Sequence, residues 1–363
     1  MIRARGPVTV AAFMALALYD PEFGYYARAA QRSGRAGDFF TSVDVGSLFG
    51  ELLEVQLAEI FQISDFRFQF DLVEAGAGNG RLSADVLRAA KAHHPGFYDA
   101  IHLHLVEASA AARDAQAATL GDVAERLTSS GPALPDAFEG VLIANELLDA
   151  LPVHQVVMRE EGLREVYVTT NGEGLTTVEG PPSTPELAAY LARLGVTLEP
   201  GWRVEINLGA VRWIREAARR LRRGFIILID YGHDARELYS PAHSSGTLTT
   251  FVKHRSGGPD GAQDAPAWLE QPGEQDLTAH VDFTSVRAAA EAEGMTTLGF
   301  LDQTYLLMGL LDGLPHPESA IRNPQFRTLM MPGGLGSTLK VLMLGKGVGA
   351  PALRGCSFRV RVT

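Results

Sequence analysis

The 363 residues suffice for one large domain with insertions or for two smaller ones, and a hydrophobic content of 46% supports a substantial core. A formal net charge of −11 argues against general nucleic-acid binding, whose phosphate term needs a basic face. The single cysteine, Cys356, excludes an intrachain disulfide and a cysteine-rich zinc site, and no run is long and apolar enough to span a bilayer.

Near the start, Arg3 and Arg5 precede an apolar run that imitates a secretion signal, but Asp20-Pro21-Glu22 stands where a small-residue cleavage site would be. Residues 8–19 therefore read as a packed helix, and the protein as cytoplasmic. A turn into aromatic residues follows, ending in Tyr25-Tyr26, and then a glycine-rich polar loop over 33–42. Next, Leu48, Phe49, Leu52, Leu53, Leu57, Ile60 and Phe61 share one stripe of an amphipathic helix. This first region, 1–65, is expected to form a helical cap over one side of a pocket.

The chain is organised around Phe70-Asp71-Leu72-Val73-Glu74-Ala75-Gly76-Ala77-Gly78-Asn79-Gly80-Arg81. An apolar run stops at an acid, three alternate glycines follow, and Leu82, Val86, Leu87 and Ala90 recur at helical spacing. The unit reads strand, tight turn, helix. Without Cβ atoms the turn can adopt positive φ and let a flat ligand lie against it. The next strand, Ile101-His102-Leu103-His104-Leu105-Val106-Glu107, also ends in a carboxylate, well placed for ribose hydroxyls. A dinucleotide fingerprint would carry its last glycine where Arg81 stands; here the third glycine arrives one residue early, at Gly80. The pocket so described suits an adenosine-containing cofactor other than a dinucleotide.

A further strand, Gly140-Val141-Leu142-Ile143-Ala144, runs into Asn145-Glu146-Leu147-Leu148-Asp149-Ala150-Leu151-Pro152. Glu146 and Asp149 are three apart, so on a helical turn they would share a face beside the pocket. From His154 the period changes to two, with turn signals at Glu160-Glu161-Gly162 and Asn171-Gly172, which marks an antiparallel insertion over 155–200 that builds a substrate face. Residues 202–206 read as a return to the core, Asn207 as a helix cap, and Gly224 as the helix end. Phe225-Ile226-Ile227-Leu228-Ile229 is a buried parallel strand ending in Asp230-Tyr231-Gly232-His233. Residues 255–272 read as a loop, and 296–301 and 339–344 as late strands. The expectation is an α/β fold with a seven-stranded, mostly parallel sheet: core segments 66–154 and 201–348 flank the insertion, and 349–363 form a tail. No metal site is expected, because His102 and His104 alternate on a strand without a third ligand and His93-His94 reads as a helix end. Neither a nucleophile elbow nor His-Glu-x-x-His occurs.

Several blocks in order carry a resemblance. They are Gly6-Pro7 with Tyr19-Asp20-Pro21-Glu22-Phe23-Gly24-Tyr25-Tyr26; Gly37-Asp38-Phe39-Phe40-Thr41-Ser42; Phe49-Gly50-Glu51-Leu52-Leu53; the glycine turn; the Asn145 block; Ile229-Asp230-Tyr231-Gly232-His233; and Pro272-Gly273 with Asp276-Leu277-Thr278-Ala279-His280-Val281-Asp282-Phe283. This set resembles the MidA-like family, which includes the mitochondrial complex I assembly-factor arginine methyltransferases, and it runs from about Gly6 to Gly345. The resemblance implies a class I methyltransferase (Rossmann-like) fold with S-adenosylmethionine as methyl donor. It implies cofactor contacts at Glu74, Gly76, Gly78, Gly80 and Glu107, joined by Gly37, Asp38 and Thr41. It places the acceptor and the catalytic groups at Asn145, Glu146 and Asp149. In the mitochondrial members the acceptor is an arginine of a respiratory complex I subunit, so the expected partner is a protein presenting arginine; a homodimer is compatible with the sequence. The chain departs from the family at Val43-Asp44, Leu147-Leu148 and Gly246-Thr247-Leu248. Its start, close to the first block, favours a bacterial member. Three alternatives stay open: a different methylated residue or a small-molecule acceptor, a non-catalytic assembly factor that keeps the pocket, and a nicotinamide-dependent oxidoreductase, which the early third glycine disfavours.

Overall fold

The computed structural model describes residues 2–27, 41–66, 69–172, 174–252, 255–257, 266–331 and 335–358. Strand β1, Phe70–Ala75, is buried along its whole length, which explains an apolar run without alternation. The further strands of its sheet are β2 Ile101–Val106, β3 Leu127–Gly131, β4 Phe138–Asn145, β5 Leu221–His233, β6 Thr296–Asp302 and β7 Leu339–Lys346. They lie in the order β6-β7-β5-β4-β1-β2-β3, and a two-residue strand, Val281–Asp282, pairs off this path with β5 as an eighth. β7 is antiparallel to both neighbours, while the other pairs on the path are parallel. From β1 the chain winds outward to β2 and β3, then returns to β4 on the opposite side. The ends of β1 and β4 therefore form a topological switch point, where open α/β sheets bind ligands.

Alternate residues feed two cores. Helix α1, Val10–Tyr19, joins a separate core with Trp268, while Leu72 of β1 packs with Val141, Ile143, Ile227 and with helices α2, Leu48–Ile63, and α3, Arg81–His93. Val73, Leu142 and Ile226 point the other way, toward Ile214 and Val286. Ile214 lies on the helix Leu208–Arg220, which Asn207 caps by accepting the Ala210 amide at 2.8 Å, as expected.

Three expectations change. Residues 203–206 do not rejoin the core: Arg203–Ile206 pairs antiparallel with His154–Arg159, inside a sheet that also holds Gly162–Asn171, Gly174–Gly180 and the N-terminal pair Val8–Thr9. Its place in the main sheet is taken by β3, an edge strand whose Leu-Thr-Ser-Ser-Gly sequence has no apolar period. Gly224 does not end a helix. It sits within β5, where an added Cβ would stand 1.9 Å from the Gly140 carbonyl oxygen. Finally, the stretch read as a loop at 255–272 contains buried Trp268, whose ring lies 5.8 Å from that of Phe13; residues 258–265 are outside the described residues. Among the described residues no helix is long and apolar enough to cross a membrane.

Candidate cofactor and acceptor site

The carboxyl ends of β1, β2 and β4 line a crevice of about 400 Å³. Its floor is the glycine turn. Gly76, Gly78 and Gly80 have φ of 72°, 51° and 86°, a region that side chains disfavour. The amides of Gly76 and Ala77 donate to the Val106 carbonyl at 2.9 and 3.1 Å, so the turn hangs from the end of β2. At Gly78 an added Cβ would meet nothing within 4 Å; the conformation, not crowding, demands glycine there. Glu107 follows β2 and accepts the amides of Gly78 at 2.8 Å and of Ser109 at 2.7 Å. Glu74 also lines the crevice, but its carboxylate accepts the Ser83 amide at 3.2 Å and the Ser83 hydroxyl, which ties β1 to the first turn of α3. Burial pushes its pKa up to about 7.

The N-terminal region supplies the facing wall through Tyr19, Tyr26, Thr41 and Val43. Thr41 donates its amide and hydroxyl to Asp44 at 3.1 and 2.8 Å. Arg81 donates to Asp44 at 2.6 Å and to the Val43 carbonyl at 3.0 Å. The residue that replaces a dinucleotide-type glycine thus bolts this wall to the turn. Gly37 and Asp38, also expected at the cofactor, lie outside the described residues.

On the other side, Asn145 ends β4 and Glu146 takes a left-handed φ of 51°. Its amide donates to the Ile229 carbonyl at 2.7 Å. Residues 146–151 form bends and a turn, so the shared helical face expected for Glu146 and Asp149 does not exist. The consequence is a division of the pair. Asn145 and Glu146 line the crevice, whereas Asp149 is buried outside its lining, where Asp230 and Asp276 act on it. Glu146 Oε1 accepts Asn145 Nδ2 at 3.2 Å and the Ser42 amide at 3.3 Å, while the buried Asn145 Oδ1 has no partner.

Burial, then the neighbouring Asp149, pushes Glu146 up to about 8. Burial, with Asp230 and Asp276, holds Asp149 well above the usual carboxylate range. Burial also raises Asp230 to about 7, although it accepts the amides of Leu147, Leu148 and Tyr231 at 3.1, 2.7 and 2.9 Å. Tyr19 donates its hydroxyl to the Ala150 carbonyl at 2.9 Å, and Tyr26 donates to Asp276 at 2.8 Å.

Sequence reasoning missed Asp230, Asp276, the two tyrosines and Trp213 as site residues. Asp230 carried a usable signal, since it ends an apolar strand as Glu74 and Glu107 do. The others come from distant segments and have no local signature.

Comparison with known proteins gives this geometry a context. Residues 52–301 match the model of a family described as "Putative S-adenosyl-L-methionine-dependent methyltransferase". The mouse protein arginine methyltransferase NDUFAF7, mitochondrial, is 33% identical over 336 residues, covering 85% of this chain and 72% of the relative. The Drosophila melanogaster homolog is 30% identical, covering 96% and 83%. A Burkholderia thailandensis protein solved with S-adenosyl-homocysteine superposes with a TM-score of 0.85 at 29% identity, over 98% of this chain and 92% of that one.

The crevice fits that ligand type. Its volume lies within the roughly 300–1,000 Å³ of small-molecule sites. Its floor carries no side chain at Gly76 and Gly78, an acid stands at the tip of β2, and Asn145 Oδ1 is a buried acceptor lacking a donor. The glycine turn, the strand order and these relatives agree, and the chain belongs to the MidA-like family of S-adenosylmethionine-dependent methyltransferases.

Proposed function

We propose that this methyltransferase acts on arginine in a protein substrate and that Glu146, with Asn145, receives the guanidinium. The observation that carries this reading is the pair at the end of β4: Glu146 and Asn145, whose buried Oδ1 has no partner, line the same crevice as the glycine turn. A guanidinium presents planar N–H donors and no acceptor, which matches the oxygens that Glu146 and Asn145 carry. The names of the mouse and Drosophila relatives support the same acceptor.

The cofactor supplies an electrophilic methyl group on a sulfonium, and in the transfer the S–C bond breaks as an N–C bond forms. Guanidinium ionises above about pH 12, so no side chain removes its proton beforehand. Orientation dominates instead, and effective-molarity effects of roughly 7–11 kcal/mol are available for it. Glu146 orients the fork and draws electron density toward the attacking nitrogen. With its pKa pushed up to about 8, its carboxylate is also suited to accept the proton released as the nitrogen is methylated. Arrival of the cation favours the charged form of Glu146, so peptide binding is accompanied by proton release near neutral pH. Asp149 and Asp230 are positioning residues: Asp230 holds the Leu147 and Leu148 amides and thereby fixes the bend that aims Glu146.

The test is methyl transfer from labelled S-adenosylmethionine to arginine-containing peptides, with mass spectrometry of the product. Methylarginine that disappears when the peptide carries lysine instead supports the reading. Label on lysine, or only on a small molecule, overturns the acceptor assignment and leaves the cofactor site standing.

A further inference from the structure

Three histidines from separate segments meet near the carboxyl end of β5: His233, its last residue, His243 in the short turn Pro241–His243, and His280, which precedes Val281–Asp282. Among the described residues they are the group whose donor atoms could hold a metal, with one ring nitrogen from each lying within 4.8 Å of the other two. The ring centroids are 4.8, 5.2 and 5.9 Å apart. Three imidazoles on a tetrahedral zinc, at Zn–N of about 2.0–2.1 Å, hold their centroids about 5 Å apart, so the nitrogens need to draw in by only about 1 Å.

Packing alone does not account for the group. Nδ1 of His280 is buried with no hydrogen-bond partner, a costly state, and buried Nδ1 of His233 has only the Glu237 carboxylate beside it. Nδ1 of His243 donates to the Glu237 carbonyl at 3.0 Å, which leaves Nε2 as the nitrogen with a free lone pair. Metal-bound histidines are oriented by such a bond on their other nitrogen. A Glu237 carboxylate oxygen stands 3.1 Å from His233 Nδ1, close to the spacing of two ligands on one ion.

We propose that His233, His243 and His280, with the Glu237 carboxylate in the fourth position, bind a zinc ion that clamps the acidic side of the methyltransferase site. The clamp reaches that site along the backbone. The Ala279 amide, next to His280, donates to the Asp149 carbonyl at 3.0 Å, and His233 lies on the same strand as Asp230. The inference is independent of which acceptor is methylated.

The experiment uses tag-free full-length protein, stripped with chelator and titrated with zinc chloride by calorimetry, alongside Co²⁺ as a visible-absorption probe. One zinc per chain, a four-coordinate cobalt spectrum and a higher thermal midpoint with metal are expected. His243→Asn, on a surface turn, and His280→Asn should each weaken zinc binding by more than about a hundredfold, and Glu237→Gln by about tenfold. Retained S-adenosyl-homocysteine binding shows that the variants fold. Absence of stoichiometric zinc binding, or binding that survives both histidine variants, overturns the proposal; should His280→Asn fail to fold, His243→Asn decides alone.

Discussion

The carboxylate of Glu107 accepts the amide of Gly78 at 2.8 Å, joining the tip of β2 to the middle of the glycine turn. One residue thus shapes the floor of the crevice, and we propose that it also offers oxygen to the ribose of the cofactor. Glu107→Ala is expected to weaken S-adenosylmethionine binding by about 1–3 kcal/mol, because it removes hydrogen bonds to a charged group and frees the turn. Glu107→Gln, which keeps one acceptor oxygen, should lose less. Calorimetric titration distinguishes the two, and unchanged binding in both would remove Glu107 from the site.

Gly78 has a φ of 51° and no atom within 4 Å of an added Cβ. Gly78→Val should therefore fold with a backbone penalty of about 1–2 kcal/mol, while its side chain occupies the crevice and abolishes cofactor binding. A folded variant with native affinity for S-adenosyl-homocysteine would show that the ligand does not lie on this turn.

Glu146→Gln keeps an oxygen for the Ser42 amide but loses the charge. Turnover is expected to fall by about 10²–10³-fold, with cofactor affinity changed by less than about tenfold. Steady-state rates set beside direct cofactor titration make the comparison, and parallel losses in both would assign Glu146 to cofactor binding instead.

Four buried carboxyls in and around the site have raised pKa values: Glu74 and Asp230 at about 7, Glu146 at about 8, and Asp149 well above its usual range. A carboxyl raised by folding keeps its proton where the unfolded chain has lost it. The stability these four groups contribute is then fully present below the ordinary carboxylate range and is lost as pH rises from there toward about 8. Urea unfolding at pH 5 and pH 8 measures the slope. Glu146→Gln should be more stable than the parent at pH 8, on the order of 1–3 kcal/mol, and nearly equal to it at pH 5. A destabilised variant at pH 8 would mean that Glu146 is ionised and paired.

Much of the cofactor side was legible because its instructions are contiguous. An apolar run, alternate glycines and a 3.6-residue period specify strand, turn and helix from about two dozen neighbouring residues, and Glu107 follows from the next strand. The strand tally was less legible: the reading took 203–206 for a core strand, overlooked Leu127–Gly131, and missed the two-residue strand Val281–Asp282 that makes the main sheet eight-stranded. The edge strand β3 is polar, so burial writes no pattern into it.

What the sequence determined by itself was this local unit, and with it the class of cofactor. The tertiary structure decided the rest. It put Glu146 in the crevice and Asp149 behind it, because the Ile229 carbonyl and the Asp230 carboxylate hold the 146–151 segment as a bend where spacing alone suggested a helix. It also gathered His233, His243 and His280, and set Tyr26 against Asp276, across 250 residues of chain. Periodicity records which face of an element is buried; it carries no record of which distant element covers that face. That pairing is fixed only when strands register and cores close.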